Sequence, residues 1–159
     1  MKKYIALLLV AVMSLALLTA CGNTVYDEFE NYINVEVAKV NENYTKVTEE
    51  AGKWAEFEED AQLVASINDT MLPLVEESLE ILGKIAPESE EVKDIHNKYI
   101  KVWDAYKEGF TLVLEGFEAQ DEEKVAAGNE KLTEGISNLD EYNAALNALA
   151  EELGGEIEY

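Results

Sequence analysis

From Thr24 onward the chain is patterned by apolar residues spaced alternately by four and three. Ile33, Val37, Val40, Tyr44, Val47 and Ala51 form the first such stripe, which puts one apolar face along a helix of about 28 residues. Thr24, with Asp27 three residues on, reads as the capped start of that helix, and Gly52 suits its C-terminal cap. A second run from about Ala55 to Gly83 carries Phe57, Ala61, Val64, Met71, Val75, Ser78 and Leu82 in the same rhythm. Pro73 interrupts it. A proline inside a helix removes one hydrogen bond and crowds the carbonyl four residues back, here that of Asp69, so either a kink or a fresh helix start is expected.

After the connection Ile85-Ala86-Pro87, the acidic residues Glu88, Glu90 and Glu91 mark a helix start, negative where the helix dipole is positive. The third stripe follows as Val92, Ile95, Tyr99, Val102, Tyr106, Val113 and Phe117. Asp121 then suits the N-cap of a fourth helix, in which Val125, Leu132, Leu139, Leu146 and Leu153 fall seven apart before Gly154-Gly155 ends the run.

A leucine heptad serves either a parallel dimer or the core of an intramolecular bundle. The glycines favour the second. A tight turn centred near Glu122 would bring together residues whose numbers sum to about 244, pairing Gly116 with Gly128 and Gly109 with Gly135. Val113 would then meet Leu132, Tyr106 Leu139, Tyr99 Leu146 and Val92 Leu153. Glycine costs a helix about 1 kcal/mol relative to alanine, so four of them at mirrored positions point to close backbone approach. Four helices of matched length joined by short connections give an all-α, antiparallel up-down-up-down four-helix bundle, expected as a monomer.

Charge narrows the partners. The chain has 12 basic residues, all lysine, against 34 acidic ones, for a net charge of −22. Without arginine the bidentate fork for phosphates and bases is missing, and no nucleic acid is expected as a partner. Direct electrostatic docking on anionic lipid is excluded by the same sign of charge. Acidity alone would be compatible with disorder, but the sustained apolar rhythm argues for a folded core.

The first 21 residues follow a different logic. Met1-Lys2-Lys3 is a positive start, Tyr4 to Leu18 an apolar run too short to span a bilayer, and Leu18-Thr19-Ala20-Cys21 places the chain's single cysteine after two small residues. This order resembles the lipobox of bacterial lipoproteins. The resemblance implies cleavage before Cys21 and a covalent diacylglyceryl lipid on its thiol, with palmitate-type acyl chains holding the protein on the outer face of a bacterial cell membrane or envelope. Residues 1–20 would then be a signal peptide, 21–23 a lipidated tether, 24–155 the helical domain and 156–159 a short acidic tail. The mature chain would keep ten lysines against 34 carboxylates, a charge of −24. From Val64 onward, and in the run Ala86-Pro87-Glu88-Ser89-Glu90-Glu91-Val92 leading to Ile95-His96, the chain also resembles small helical-bundle lipoproteins, a likeness that implies no particular activity.

No catalytic constellation stands out. His96 is the single histidine and Lys93, not Glu, precedes it by three, so the paired Glu-x-x-His ligands of di-iron bundles are missing. The acidic runs lack the alternation and glycine of calcium loops, and the two Asn-x-Thr matches at Asn43 and Asn68 carry no weight behind a bacterial address. No catalytic residue, metal or non-covalent cofactor is expected. Pro73, His96, Tyr99 and Trp103 form a candidate pocket in the half of the bundle nearest the lipid, since a kinked helix beside bulky aromatics can leave a groove. Trp54, at the far turn, is expected to cover Phe57 and Phe117. The function expected is a non-enzymatic, membrane-tethered interaction or scaffolding module with a protein partner at the envelope. The alternative is a binding protein for a small apolar ligand or peptide.

Overall fold

The computed structural model describes Ser14 and Leu15, residues 24–155, and Ile157 and Glu158. Its frame is a hairpin of two long helices, α5 (Glu90–Ala119) and α6 (Glu122–Glu152). Ser89 caps α5 by accepting from the Val92 N–H, with Glu90 and Glu91 in the first turn. At the other end Gln120 takes the left-handed conformation (φ 54°, ψ 38°), and the Asp121 N–H donates to the Gly116 carbonyl at 2.8 Å, which closes a Schellman-type stop. The Asp121 carboxylate then accepts from the N–H groups of Glu123 and Lys124 and starts α6, as its sequence position suggested.

Because the turn is only Gln120 and Asp121, the register lies about three residues away from the one expected from the glycines. Tyr99 stacks on Tyr142, Gly135 lies against the Tyr106 ring, Gly116 against Val125 and Gly109 against Leu132, pairs whose numbers all sum to 241. The expected pairs Gly116 with Gly128 and Gly109 with Gly135 are therefore not formed, since centring the turn near Glu122 placed it too late. The close approach itself is real. A methyl group on Gly128 would sit 2.8 Å from the Gly109 carbonyl oxygen and 2.9 Å from the Val113 nitrogen. At the end of α6, Gly154 takes φ 82° and the Gly155 N–H donates to the Ala150 carbonyl at 2.8 Å.

The first half of the chain is more divided than four uninterrupted helices. α1 (Thr24–Asn31) passes through a π-helical turn, Tyr32–Glu36, into α2 (Ala38–Lys53). A 3₁₀ turn, Trp54–Glu56, and an extended step precede α3 (Asp60–Ser66), which passes through a second π turn, Ile67–Met71, into α4 (Leu72–Leu82). The described residues thus contain six α-helices in an all-α, bundle-like fold. Antiparallel pairing of Ser14–Leu15 with Ile157–Glu158 adds a two-residue ladder, β1 with β2, beside it.

The second π turn explains how Pro73 is accommodated. Ser66, Met71 and Leu72 all keep right-handed helical angles, and the Leu72 N–H reaches back five residues to Ile67. Widening the turn just before the proline gives it the room that a regular α-turn denies. Pro73 sits at the start of α4 without breaking the run. The expected cap at Gly52 is not seen: this residue lies inside the last turn of α2, and a methyl group there would meet nothing within 4 Å.

The first stripe is buried as its spacing predicts, from Ile33 through Val37, Val40, Tyr44 and Val47 to Ala51. Later elements contribute Met71, Val75, Ser78 and Leu82 from the second rhythm, and Val92, Ile95, Tyr99, Val102, Tyr106 and Val113 from the third. The second rhythm fails before its π turn, where Ser66 and Ile67 are buried and Ala61 is exposed. In α6 the heptad leucines 132 and 139 are half-buried, whereas Gly128, Gly135, Tyr142 and Leu146 form the buried side.

Two glycine-to-alanine changes separate close approach from mere permissiveness. Gly52→Ala is expected to raise unfolding stability by about 0.5–1 kcal/mol, the helix-propensity gain without a clash. Gly128→Ala is expected to lower it by about 1–3 kcal/mol, because backbone atoms cannot yield as a side chain can. Urea denaturation of both variants checks the pair, and equal effects of one sign would contradict the packing.

Candidate functional site

Along its buried face α5 presents His96, Tyr99, Trp103, Tyr106 and Phe110, spaced by three and four, an aromatic column in which the rings from Tyr99 to Phe110 meet in succession while His96 meets Tyr32 edge-on. Tyr99 stacks on Tyr142 of α6 with centroids 4.2 Å apart and planes 9° off parallel. Trp103 receives Tyr44, Tyr99 and Tyr106 edge-on at centroid separations of 6.1–6.4 Å. Phe110 is met edge-on by Trp54 at 6.3 Å. Trp54 thus packs on Phe110, and its indole N–H donates to Ser66 Oγ at 2.9 Å. Ser66 in turn donates to Glu50, which also accepts from Lys53. The lysine first and then the serine hold the Glu50 carboxyl below the usual carboxylate range.

Three of the four pocket candidates lie in this column, and the fourth does not. His96, Tyr99 and Trp103 are buried. Pro73 is exposed, on the outer side of α4, where it borders a shallow depression of about 410 Å³ with Lys46, Glu49, Glu50 and Lys53. These neighbours belong to the end of α2 away from Thr24. Counting along the chain from the expected turns places Pro73 in the opposite half, nearest the lipid.

Some of the column's polar edges are tied locally and others are not. Tyr99 donates its hydroxyl to Asn41 Oδ1 at 2.7 Å, and His96 Nδ1 lies 3.3 Å from the Tyr32 hydroxyl. Burial pushes the Tyr32, Tyr99 and Tyr106 phenols well above their ordinary value, and Tyr44 up to about 12. All four are neutral near pH 7 and act as packing groups with weak donors. Among the described residues, the Tyr44 and Tyr106 hydroxyls, Trp103 Nε1 and Asn43 Oδ1 complete no hydrogen bond. Asn43 is nonetheless held by its amide, which donates to Glu77 and Ser78. Alternating helical spacing placed Tyr99 and Tyr106 on the buried stripe, but nothing in it indicated Phe110 as a member of the column or Asn41 and Asn43 as its polar neighbours.

A different recess opens at the end of the molecule away from Thr24. It lies between α3 and the α5–α6 turn and has a volume of about 660 Å³. Its floor is apolar, made by Ala61, Val64 and Ala65 of α3 with Phe117 and Val125 of the hairpin. Around it stand Asp60, Asp69, Glu118, Asp121 and Glu122, with no lysine among the lining residues. Sequence reading missed this site because Ala61 and Val64 fit the core rhythm. The π turn at Ile67–Met71 rotates α3 out of phase with α4, which leaves that part of the stripe open.

Leu18-Thr19-Ala20-Cys21 and the tether residues 22 and 23 lie outside the described residues. Among the described residues no helix is long and apolar enough to cross a membrane, and no group of three or more His, Cys, Asp or Glu could hold a metal ion. No protein-family model, curated protein or solved structure matches the chain.

Two predictions follow the polar edges. Tyr99→Phe is expected to cost about 0.5–1.5 kcal/mol, the loss of its bond to Asn41, whereas Tyr106→Phe, which removes a hydroxyl that completes none, is expected to be neutral or slightly stabilising. Denaturant melts of the two variants compare them directly.

The second concerns pH. Burial holds His96 below its usual 6.5, an effect the Leu82 carbonyl partly offsets. The folded state thus binds this proton less readily than the unfolded chain, so stability falls as pH drops below 6.5. Glu28 and Glu50 are held below their usual 4.5 and add a further loss only as pH falls below that value. His96→Gln is expected to flatten the thermal-stability profile between pH 6.5 and about 5, leaving the more acidic limb in place.

Proposed function

We propose that this chain is a bacterial envelope lipoprotein whose helical domain works as a non-enzymatic interaction or scaffolding module on the extracytoplasmic face. In this reading residues 1–20 are a signal peptide, Cys21 carries the diacylglyceryl lipid, and residues 24–155 form one monomeric domain. The segments α1–α2 and α3–α4 act as two interrupted rods which, with α5 and α6, make an up-down-up-down four-rod bundle.

The observation that carries the proposal is the position of the first helix. The chain is already helical at Thr24, three residues after the Leu-Thr-Ala-Cys motif, so an anchored body would sit within about 10 Å of the bilayer at 3.3–3.6 Å per residue. Glu28 of α1 accepts from the backbone N–H groups of Glu88 and Ser89, tying the anchored end to the start of α5. Burial works against the Glu28 charge, but the Ser89 and backbone donors outweigh it and lower its pKa. α5 would then carry its far end away by about 45 Å, at 1.5 Å per residue. A body of charge −24 is repelled by anionic headgroups, which favours that upright attitude.

The reading as a carrier of an apolar ligand near the anchor has less support, because Pro73 does not join His96, Tyr99 and Trp103. Metabolic labelling with an alkyne fatty acid in a bacterial host tests the anchor. The wild-type chain is expected to take up label and partition into the membrane fraction, and Cys21→Ser to lose both; an unlabelled wild type or a membrane-bound, labelled Cys21→Ser would refute it.

A further inference from the structure

We propose that the recess between α3 and the α5–α6 turn is the docking site of this module, and that its occupant is a basic segment of a partner protein with aliphatic side chains beside its lysines or arginines. This deepens the scaffolding reading by naming the surface and the chemistry of the partner.

Two features of different kind meet there. The floor is a stretch of apolar stripe without a covering element: Ala61 and Ala65 are exposed and Val64 only half-buried. On the hairpin side Phe117 and Val125 are half-buried too. An aliphatic stem laid on these side chains would bury surface that the domain itself leaves open. The rim is anionic on both sides, with Asp60 and Asp69 from the α3 side facing Glu118 and Glu122 from the hairpin. Lys124, beside Val125, is turned to Glu115, with Nζ 2.9 Å from its carboxylate, and does not line the recess.

Charge chooses among occupants. A second copy of this chain, at −22, and an anionic lipid surface would both bring like charge to the rim. An uncharged apolar ligand would use the floor and leave the carboxylates idle. A segment that is both basic and aliphatic satisfies floor and rim together. The volume of about 660 Å³ suits a few side chains of such a segment, so an affinity dependent on salt is expected.

Fluorescence anisotropy of a labelled amphipathic peptide alternating lysine and leucine provides the test, run on the full chain in detergent. Binding is expected, and Asp69→Lys with Glu118→Lys is expected to weaken it about tenfold or more. The same charge change on an outer face, Asp104→Lys with Glu141→Lys, is expected to weaken it less than about twofold. Ala61→Phe, which fills the recess, should also abolish binding while circular dichroism shows the helices intact. A peptide with serine in place of leucine, at the same charge, should bind at least about tenfold more weakly. Equal loss in the two charge-reversal pairs, or undiminished binding of the serine peptide, would mean non-specific attraction to an acidic protein and overturn the proposal. Failure of the lysine–leucine peptide to bind would also overturn it, while fatty-acid labelling of Cys21 would still decide the anchoring question separately.

Discussion

The two-residue turn at Gln120 and Asp121 is the constraint on which the rest of the molecule depends. A turn this short leaves α5 and α6 no freedom of register, and the glycines then let their backbones approach until a single methyl group on Gly128 would collide with main-chain atoms. This contact also determines where α5 points its aromatic face. With α6 held tight on one side, Tyr99, Trp103, Tyr106 and Phe110 are directed toward α2, α4 and the stacked Tyr142. Gln120 bears the conformational cost of the turn in the left-handed region, where a residue with a β-carbon is disfavoured.

Against that rigid hairpin the first half of the chain adapts with π turns. Each wide turn inserts extra angular advance, so the residues before and after it cannot share one straight stripe. At Tyr32–Glu36 this puts both Tyr32 and Ile33 inside, and Tyr32 reaches His96. At Ile67–Met71 it makes room for Pro73 and leaves part of α3 without a neighbour. The recess beside Phe117 and Val125 is thus a consequence of how a proline was fitted into a helix some residues away.

Electrostatics separates the surface from the core. Several lysines are engaged with carboxylates three or four residues away along the chain, among them Lys39 with Glu42, Lys53 with Glu50, Lys84 with Glu80 and Lys93 with Glu90. Such exposed pairs add little stability, but they occupy the few cations the chain has. The remaining carboxylates are left to define the surface, most tellingly around an apolar recess. In the core, by contrast, polar groups are neutral and used for fit: Tyr99 with Asn41, Trp54 with Ser66, Asn43 with Ser78.

Much of the helical character was legible in the chain, because four-three spacing reports which side of a helix is apolar and the cap at Asp121 and the stop at Gly154 follow from local chemistry alone. The sequence by itself also determined the acidic surface, the aromatic spacing on α5 and the order Leu-Thr-Ala-Cys at residues 18–21. Tertiary structure decided the register, since whether a turn centres on Glu122 or on Gln120 and Asp121 depends on which residue accepts a left-handed backbone. It decided as well that Pro73 faces solvent while His96, Tyr99 and Trp103 face the core, and that the open recess lies at the far end. Spacing records only that a residue is apolar. Whether a neighbour arrives to cover it depends on the phase of helices joined through turns whose width a linear pattern does not show.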